Sequence, residues 1–480
     1  QAMDTLAGTR IRTNLADVGA SISVMTEEML NDIGATNNET ALAYALNTEV
    51  GGPRGNFSGG VPQSSGTYSE HQLFSNPNAN TRVRGLSSAD DTRNYFLTDI
   101  PWDGYTVSRV DLQRGPNAIL FGLGAPSGVV NATTNGADFR NHGKVDVAID
   151  KYNSRRLVFD YNRELLPNEL ALRVTLLRND QKFQQEPAFS LDQRAYGAIK
   201  YAPKFLNKNG TLFEISGNYE HGEIDSNRPR IVAPIDRLTG FWKPVSEGGT
   251  GGQTFNAYQT PRITDSASPA YVPTVQQNFA STQLNLLVNS NRSQDWVQDW
   301  VGAYGALDAS GNVINTLKAD GQGPWPQGGD FSLLAIKTLD QYSTSVGASL
   351  PFSSFGGYRA ETINDPAVYD FYHKLLDGPN KREWTNWDVG EIHLTNTFLN
   401  DSLGYDVSYF QQRLSRGQWS ALSWDNTLYM DINDTLPDGS PNPDVGRAYL
   451  NVESRVDGNQ VASIDRDAWR VQGFGGYNFD

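Results

Sequence analysis

Residues Thr81 to Asn135 read TRVRGLSSADDTRNYFLTDIPWDGYTVSRVDLQRGPNAILFGLGAPSGVVNATTN. The stretch is too apolar for a linker and too rich in glycine for a helix. Four segments, VRG, NYFLTDIP, VSRVDLQRG and GVVNATT, each read as the start of a short strand, and turn residues separate them. Gly115-Pro116-Asn117 is a turn, because proline fixes its φ and glycine reaches conformations closed to other residues. Gly122, Gly124 and Gly128 crowd a short span where backbone must bend or approach other backbone closely.

The order Arg84-Gly85, Asp99-Ile100-Pro101, Val107 to Asp111, Arg114-Gly115-Pro116, Leu120-Phe121-Gly122 and Gly128-Val129-Val130-Asn131 resembles the plug domain of TonB-dependent outer-membrane receptors. That pattern runs RG, a DG-like turn, ERVEVLRGP, LYG and GGxxN. Here Asp99-Ile100 replaces Asp-Gly, Ser108 stands where Glu is commoner, and Ser127-Gly128 replaces Gly-Gly. A generic glycine-rich β protein is the plainer alternative.

The resemblance implies an α+β plug domain, residues 1–138, inside a transmembrane antiparallel β-barrel. Residues 139–480 are then part of that barrel with long extracellular loops. Arg84, Gly85, Asp99, Arg114, Gly115, Pro116, Gly122, Gly128 and Asn131 are its plug-motif positions. In the family, arginines like Arg84 and Arg114 supply the plug side of a buried ion-pair cluster with barrel glutamates. Glu214 and Glu391 point lumenward in the strand register and are the candidate partners; solvated strand-end arginines are the alternative.

Upstream, Ala20 to Met25 reads as a strand, followed by a helix with Thr26 as N-cap and Glu27 and Glu28 in its first turn. Asn38 to Leu46 reads as a second short helix, with Leu42, Ala45 and Leu46 on one face. Residues 50–80 are rich in Gly, Ser, Asn and Pro, with Phe57, Tyr68 and Phe74 interspersed. They form either a flexible connector or an apical plug loop that contacts ligand. QAMDTLAGTR is no signal peptide, so either one has been removed or this is an internal fragment; it also holds no match to a TonB box, which is expected upstream of Gln1.

After Asn135 the pattern becomes alternation at strand period. Val145, Val147 and Ile149 oppose Asp146, Ala148 and Asp150, while Leu157, Phe159 and Tyr161 oppose Arg156, Val158, Asp160 and Asn162. Leu170, Leu172, Val174 and Leu176 oppose Arg173 and Thr175; Phe213, Ile215 and Tyr219 oppose Glu214, Ser216 and Asn218. Charge on the polar faces suits a hydrated lumen, and Tyr152, Tyr161, Tyr201 and Tyr219 suit an aromatic girdle. From His221 to about Gly390 the pattern weakens and reads as long outer loops with a few strands, Gln283 to Asn289 among them. Alternation returns at Ile392 to Phe398, Leu403 to Tyr409 and Ala468 to Phe479. A barrel able to hold such a plug needs about 22 strands, and roughly ten to fourteen are legible here, so C-terminal truncation is expected.

Composition sets limits. The 480 residues carry a net charge of -15, with 54 acidic against 39 basic residues, which argues against a nucleic-acid partner. With no cysteine there is no disulfide framework, thiolate metal site or cysteine nucleophile. The mean hydropathy of -0.50 and the absence of an eighteen-residue apolar run exclude a transmembrane helix but leave a membrane barrel open.

No catalytic constellation assembles, and neither a cofactor nor a metal is expected. The GxGxxxG spacing of Gly122, Gly124 and Gly128 lacks a dinucleotide register. His71, His142, His221, His373 and His393 are scattered, and DINDTLPDGSPNPD (431–444) lacks the calcium-loop register. Asn56-Phe57-Ser58 is a sequon by letters only. Trp242, Trp296, Trp300, Trp325, Trp384 and Trp387 lie in loop-like segments, where they either hold a sugar or aromatic ligand or serve as girdle and packing residues. Phe57, Tyr68, Phe74, Trp242 and Trp325 are the ligand-contact candidates.

The resemblance implies energy-coupled uptake of a scarce, bulky solute. Its partners would be the inner-membrane TonB complex, outer-membrane lipid and a small-molecule ligand. A ferric siderophore is the first choice, and an oligosaccharide is the alternative within the family. A secreted β-rich carbohydrate-binding or hydrolytic protein is the rival class; it would need a paired-carboxylate cleft.

Overall fold

The computed structural model describes residues 21–51, 81–86, 88–115, 125–231, 365–399, 402–420 and 460–475, with single positions and short strands elsewhere. Strand β1 (Ser21–Thr26) runs into α1 (Glu27–Asp32), and the Thr26 side chain accepts from the Met29 amide at 3.3 Å. Asn37 caps α2 (Asn38–Leu42) through a reciprocal pair of bonds with Thr40. This helix is shorter than its spacing predicts. Thr48, which opens β2 (Thr48–Val50), donates its hydroxyl to the Leu42 and Ala45 carbonyls at 2.5 and 2.8 Å, satisfying carbonyls at the helix end.

β2 pairs with β3 (Thr81–Val83). β4 (Asp90–Arg93), β5 (Phe96–Leu97), β6 (Val107–Arg114) and β7 (Gly128–Thr134) join β1 in a mixed sheet of order β1-β6-β7-β4-β5. Only the β7–β4 pair is parallel. Met25, Leu30, Leu42, Val83, Val110, Leu112 and Val130 fill the core between this sheet and the helices. Gly128 has φ +116°, and a Cβ there would lie 1.9 Å from the Gln113 carbonyl oxygen, so no side chain fits where β7 meets β6.

The second body is an antiparallel sheet of eight strands in chain order. They are β8 (His142–Ile149), β9 (Arg155–Leu166), β10 (Leu170–Lys182), β11 (Phe189–Tyr201), β12 (Leu212–Asn227), β13 (Lys381–Phe398), β14 (Leu403–Ser420) and β15 (Gln460–Gly475). Burial along these strands inverts the soluble pattern. Asp160, Asn162, Thr175, Glu220, Glu391 and Gln412 are buried, while Val147 is 68% and Val471 72% exposed. The apolar face is therefore the outer one, as lipid contact requires, and the polar face turns toward the plug. Among the described residues no helix is long and apolar enough to cross a membrane, which says nothing of strands.

Several strands outrun the sequence reading. Residues 221–227 and 381–390, read as loop, extend β12 and β13. They were hidden because both faces there carry polar groups, such as His221, Glu223 and Asp225 on one side and Ser226 and Glu383 on the other. Trp384 and Trp387, also read as loop residues, lie on β13, and Trp387 is buried at 2%. Leu286–Val288, within the candidate at Gln283 to Asn289, is a strand.

Candidate functional site

The seam between plug and wall is built from one short hairpin and the segment that follows it. β4 turns into β5 through Asn94 and Tyr95, both with left-handed backbone (φ 48° and 64°) although neither is glycine. Asn131 on β7 holds that turn: its Oδ1 accepts from the Tyr95 amide at 2.7 Å and the Thr92 hydroxyl at 3.0 Å. Asn94 Nδ2 donates to Thr134 Oγ1 (2.8 Å) and to Glu391 Oε2 (2.7 Å) on the wall. The strained turn is thus fastened from both sides.

Arg93, beside that turn, is the plug cation of the seam. Its Nη1 donates to Glu220 Oε2 at 2.5 Å, and its Nε lies 3.2 Å from Glu391 Oε1, with both glutamates fully buried. Burial opposes the charge on Arg93, but Glu220 and Glu391 more than offset it and raise its pKa above the ordinary arginine value. His393 Nε2 lies 3.2 Å from Glu391 Oε2, and Trp387 Nε1 donates to Glu220 Oε1 at 3.3 Å.

Beyond the hairpin, the segment from Thr98 to Asp103 is fixed to four wall strands. Thr98 donates to Gln412 at 2.6 Å, and Arg466 grips Asp99 at 2.5 and 3.0 Å. Arg194 donates to the Pro101 carbonyl at 2.7 Å, and Arg156 grips Asp103 at 2.5 and 3.0 Å. A chain anchored this often leaves little freedom to any residue within it. Below it, a cavity of about 320 Å³ opens between plug and wall, lined by Asn94, Tyr95, Lys200, Glu214, His393 and Arg470 among others.

The ion pairing therefore differs from the sequence expectation. Glu391 does take a plug arginine, but it takes Arg93. Arg114 turns inside the plug, donating to the Leu46 carbonyl at 3.0 Å and to the Ser21 and Ser23 hydroxyls at 3.4 and 2.9 Å. Burial and the neighbouring Arg84 lower its pKa, the reverse of what a carboxylate partner would do. Arg84 (φ 59°) and Gly85 (φ 69°) form the left-handed turn after β3, and the Arg84 amide donates to the Asn47 carbonyl. Glu214 pairs with Lys200 of the adjacent strand at 2.8 Å.

Gly115 (φ +95°) follows β6, 3.4 Å from the Arg84 guanidinium as measured from a built Cβ. Pro116, Gly122, Phe57, Phe74, Trp242 and Trp325 lie outside the described residues; Tyr68 is described only as backbone, in a strand pair with Val61–Pro62. Arg93, Asn94, Asp103 and Glu220 are seam residues that sequence reasoning missed. Asp103-Gly104 did carry a turn signal: Asp103 Oδ1 accepts from the Tyr105 amide at 2.9 Å, and the Gly104 amide donates to the Thr36 carbonyl. Among the described residues no three His, Cys, Asp or Glu side chains gather as metal ligands.

Comparison with known proteins agrees with this architecture. The profile of the TonB-dependent Receptor Plug Domain matches residues 14–129. The chain is 26% identical over 174 residues to the ferrioxamine receptor of Yersinia enterocolitica, covering 36% of this chain and 23% of that protein. It is 27% identical over 183 residues to the metal-pseudopaline receptor CntO of Pseudomonas aeruginosa, covering 38% and 24%. The matches thus span under a quarter of the length of these curated relatives. Among solved structures, the closed form of the ferric-catecholate import receptor Fiu from Escherichia coli K12 aligns with a TM-score of 0.48 at 11% identity, over 95% of this chain and 42% of that one. With the plug motifs in order and a polar wall face fastened around them, residues 14–129 match the plug domain of TonB-dependent receptors, and the chain is similar to receptors of that kind.

Proposed function

We propose that the protein takes up a ferric siderophore, or a metal complex of similar chemistry, across the outer membrane at the expense of energy delivered by the inner-membrane TonB complex. In this reading the ligand is captured on the outer side, force is applied to the N-terminal side of the plug, and the plug–wall seam yields to open a path. No bond in the ligand changes. The observation that carries the reading is the seam itself: Arg93, Asp99 and Asp103 bind the wall through polar contacts that can be exchanged for water. An apolar seal would not be released so readily. The ligand class draws support from the two relatives, whose names describe receptors for ferrioxamine and metal-pseudopaline.

Uptake of iron-55 as a ferric hydroxamate, measured with and without the gene and with and without a functional TonB complex, tests it. Iron accumulation that requires both supports the reading. Uptake of a radiolabelled oligosaccharide in place of iron would move the protein to the sugar-transporting reading.

A further inference from the structure

The outward face of the wall turns from apolar to charged toward the edge from which its longest connection leaves. Residues 228–380 join β12 to β13 at that edge, whereas the turns at the other edge, 167–169 and 399–402, are short. In membrane barrels the long connections lie on the outer side. Toward that edge the continuous apolar run stops at Leu157 on β9, Leu176 on β10, Tyr219 on β12, Tyr409 on β14 and Trp469 on β15. The next outward residues are Arg155, Arg178, His221, Gln411 and Asp467. Leu176 stands in register with Ala195, His221, Asp388 and Arg413, and Arg413 lies four residues beyond Tyr409 on β14. A shift of four residues over four strands, roughly 13 Å in 19 Å, is a slope of about 35°. That matches the tilt of strands in membrane barrels, so the limit of the apolar run is level with a bilayer surface.

Charge along this limit is uneven. Glu223, Asp388, Asp465 and Asp467 face outward on β12, β13 and β15, and the outward Arg382 is taken by Asp225 at 2.7 Å. On β9 and β10 the outward arginines have no carboxylate. Among the described residues Arg155 reaches only Asn153 Oδ1, at 3.4 Å, and Arg178 makes no hydrogen bond or ion pair. Asp180, which stands opposite Arg155, is taken by Lys182 at 2.9 Å. The inward arginines of the same two strands are both matched, Arg156 by Asp103 and Arg173 by Asp160. Arg155 and Arg178 are diagonal neighbours across the β9–β10 pair, about 7–8 Å apart, so one anion between them meets both guanidinium groups.

We propose that Arg155 and Arg178 hold the phosphate of an anionic lipid headgroup in the outer leaflet. The chains of that lipid lie along Leu157, Phe159, Val174 and Leu176, so apolar and charged groups meet it in the order in which it carries them. A soluble anion would gain the two arginines without the apolar contacts. The inference rests on the chain being an outer-membrane receptor and is independent of which solute it carries.

The full-length receptor, purified in dodecyl maltoside and first checked for heat-modifiable mobility, is titrated with diphosphoryl lipid A and with the same lipid after dephosphorylation. Native mass spectrometry counts the lipid retained. We expect the phosphorylated form to be retained about tenfold more tightly, and Arg155→Gln with Arg178→Gln to abolish that preference. Arg163→Gln, at the opposite edge of the same outward face, should leave it unchanged. Should the double variant not insert, Arg178→Gln alone must lower the preference. Equal retention of the two lipids by the folded receptor overturns the site, as does a preference that survives loss of the arginines or falls equally in Arg163→Gln. An unmodified receptor without heat-modifiable mobility overturns the outer-membrane reading itself.

Discussion

Arg93 on the plug and Glu391 on β13 meet with Nε 3.2 Å from Oε1, at a point where Glu391 is shared with Asn94 and His393. Buried charge pairs are poor sources of net stability but are costly to break one-sidedly, because the surviving charge is left desolvated. Arg93→Ala should therefore weaken plug seating by about 3–5 kcal/mol. Arg93→Ala with Glu220→Gln and Glu391→Gln should recover part of it. Thermal unfolding with plug protection from protease as the readout checks both.

Arg114→Ala should behave differently. It removes donors to Leu46, Ser21 and Ser23, so it loosens the plug's own fold by about 1–3 kcal/mol while leaving the Arg93 contacts intact. Protease protection of residues 21–51 should fall, while thiol labelling of Ser216→Cys, which lines the plug–wall cavity, keeps the rate it has in the unmodified background.

Gly128→Ala should be among the most damaging single-methyl additions. The position combines left-handed backbone with a 1.9 Å approach to the Gln113 carbonyl, so β6 and β7 must separate. A cost above about 2 kcal/mol is expected, read as loss of folded, heat-modifiable receptor in the membrane fraction.

Neighbouring residues on β10 should give opposite answers to charge. Leu176 faces outward at 45% exposure, and Leu176→Arg should cost about 2–4 kcal/mol if it lies near the bilayer midplane. Thr175→Asp on the inner face should instead act through Asp160, which already accepts from the Thr175 hydroxyl, and Thr175→Asn should be tolerated. Membrane insertion yields of the three variants separate the cases.

The sequence was most legible where a single chemical pressure dominated. Alternation of Val145, Val147 and Ile149, or of Leu157, Phe159 and Tyr161, identified the lipid-facing side because hydrocarbon accepts little else. The Thr26 cap was equally readable, since capping is decided within one turn. Legibility failed above the apolar band. At 221–227 and 381–390 both faces are polar, so the period of two persists in the hydrogen bonding but disappears from hydropathy. Trp387 went the same way: a tryptophan amid polar residues reads as loop, whereas here it is walled in by Glu220, Val389 and Phe410.

From the sequence alone came the order of the plug motifs, the alternation of the wall strands and the expectation that Glu214 and Glu391 face inward, because strand period and glycine conformation are local properties. Only the tertiary structure decided that Glu391 meets Arg93 while Glu214 meets Lys200. Arg84, Arg93 and Arg114 are alike as residues, and which of them reaches the wall depends on how the β4–β5 turn projects from the sheet. That turn is held by Asn131, Thr134 and Glu391 from distant parts of the chain. Contacts made across such sequence distances leave no periodic trace, since each depends on the position of a backbone that another segment has already set.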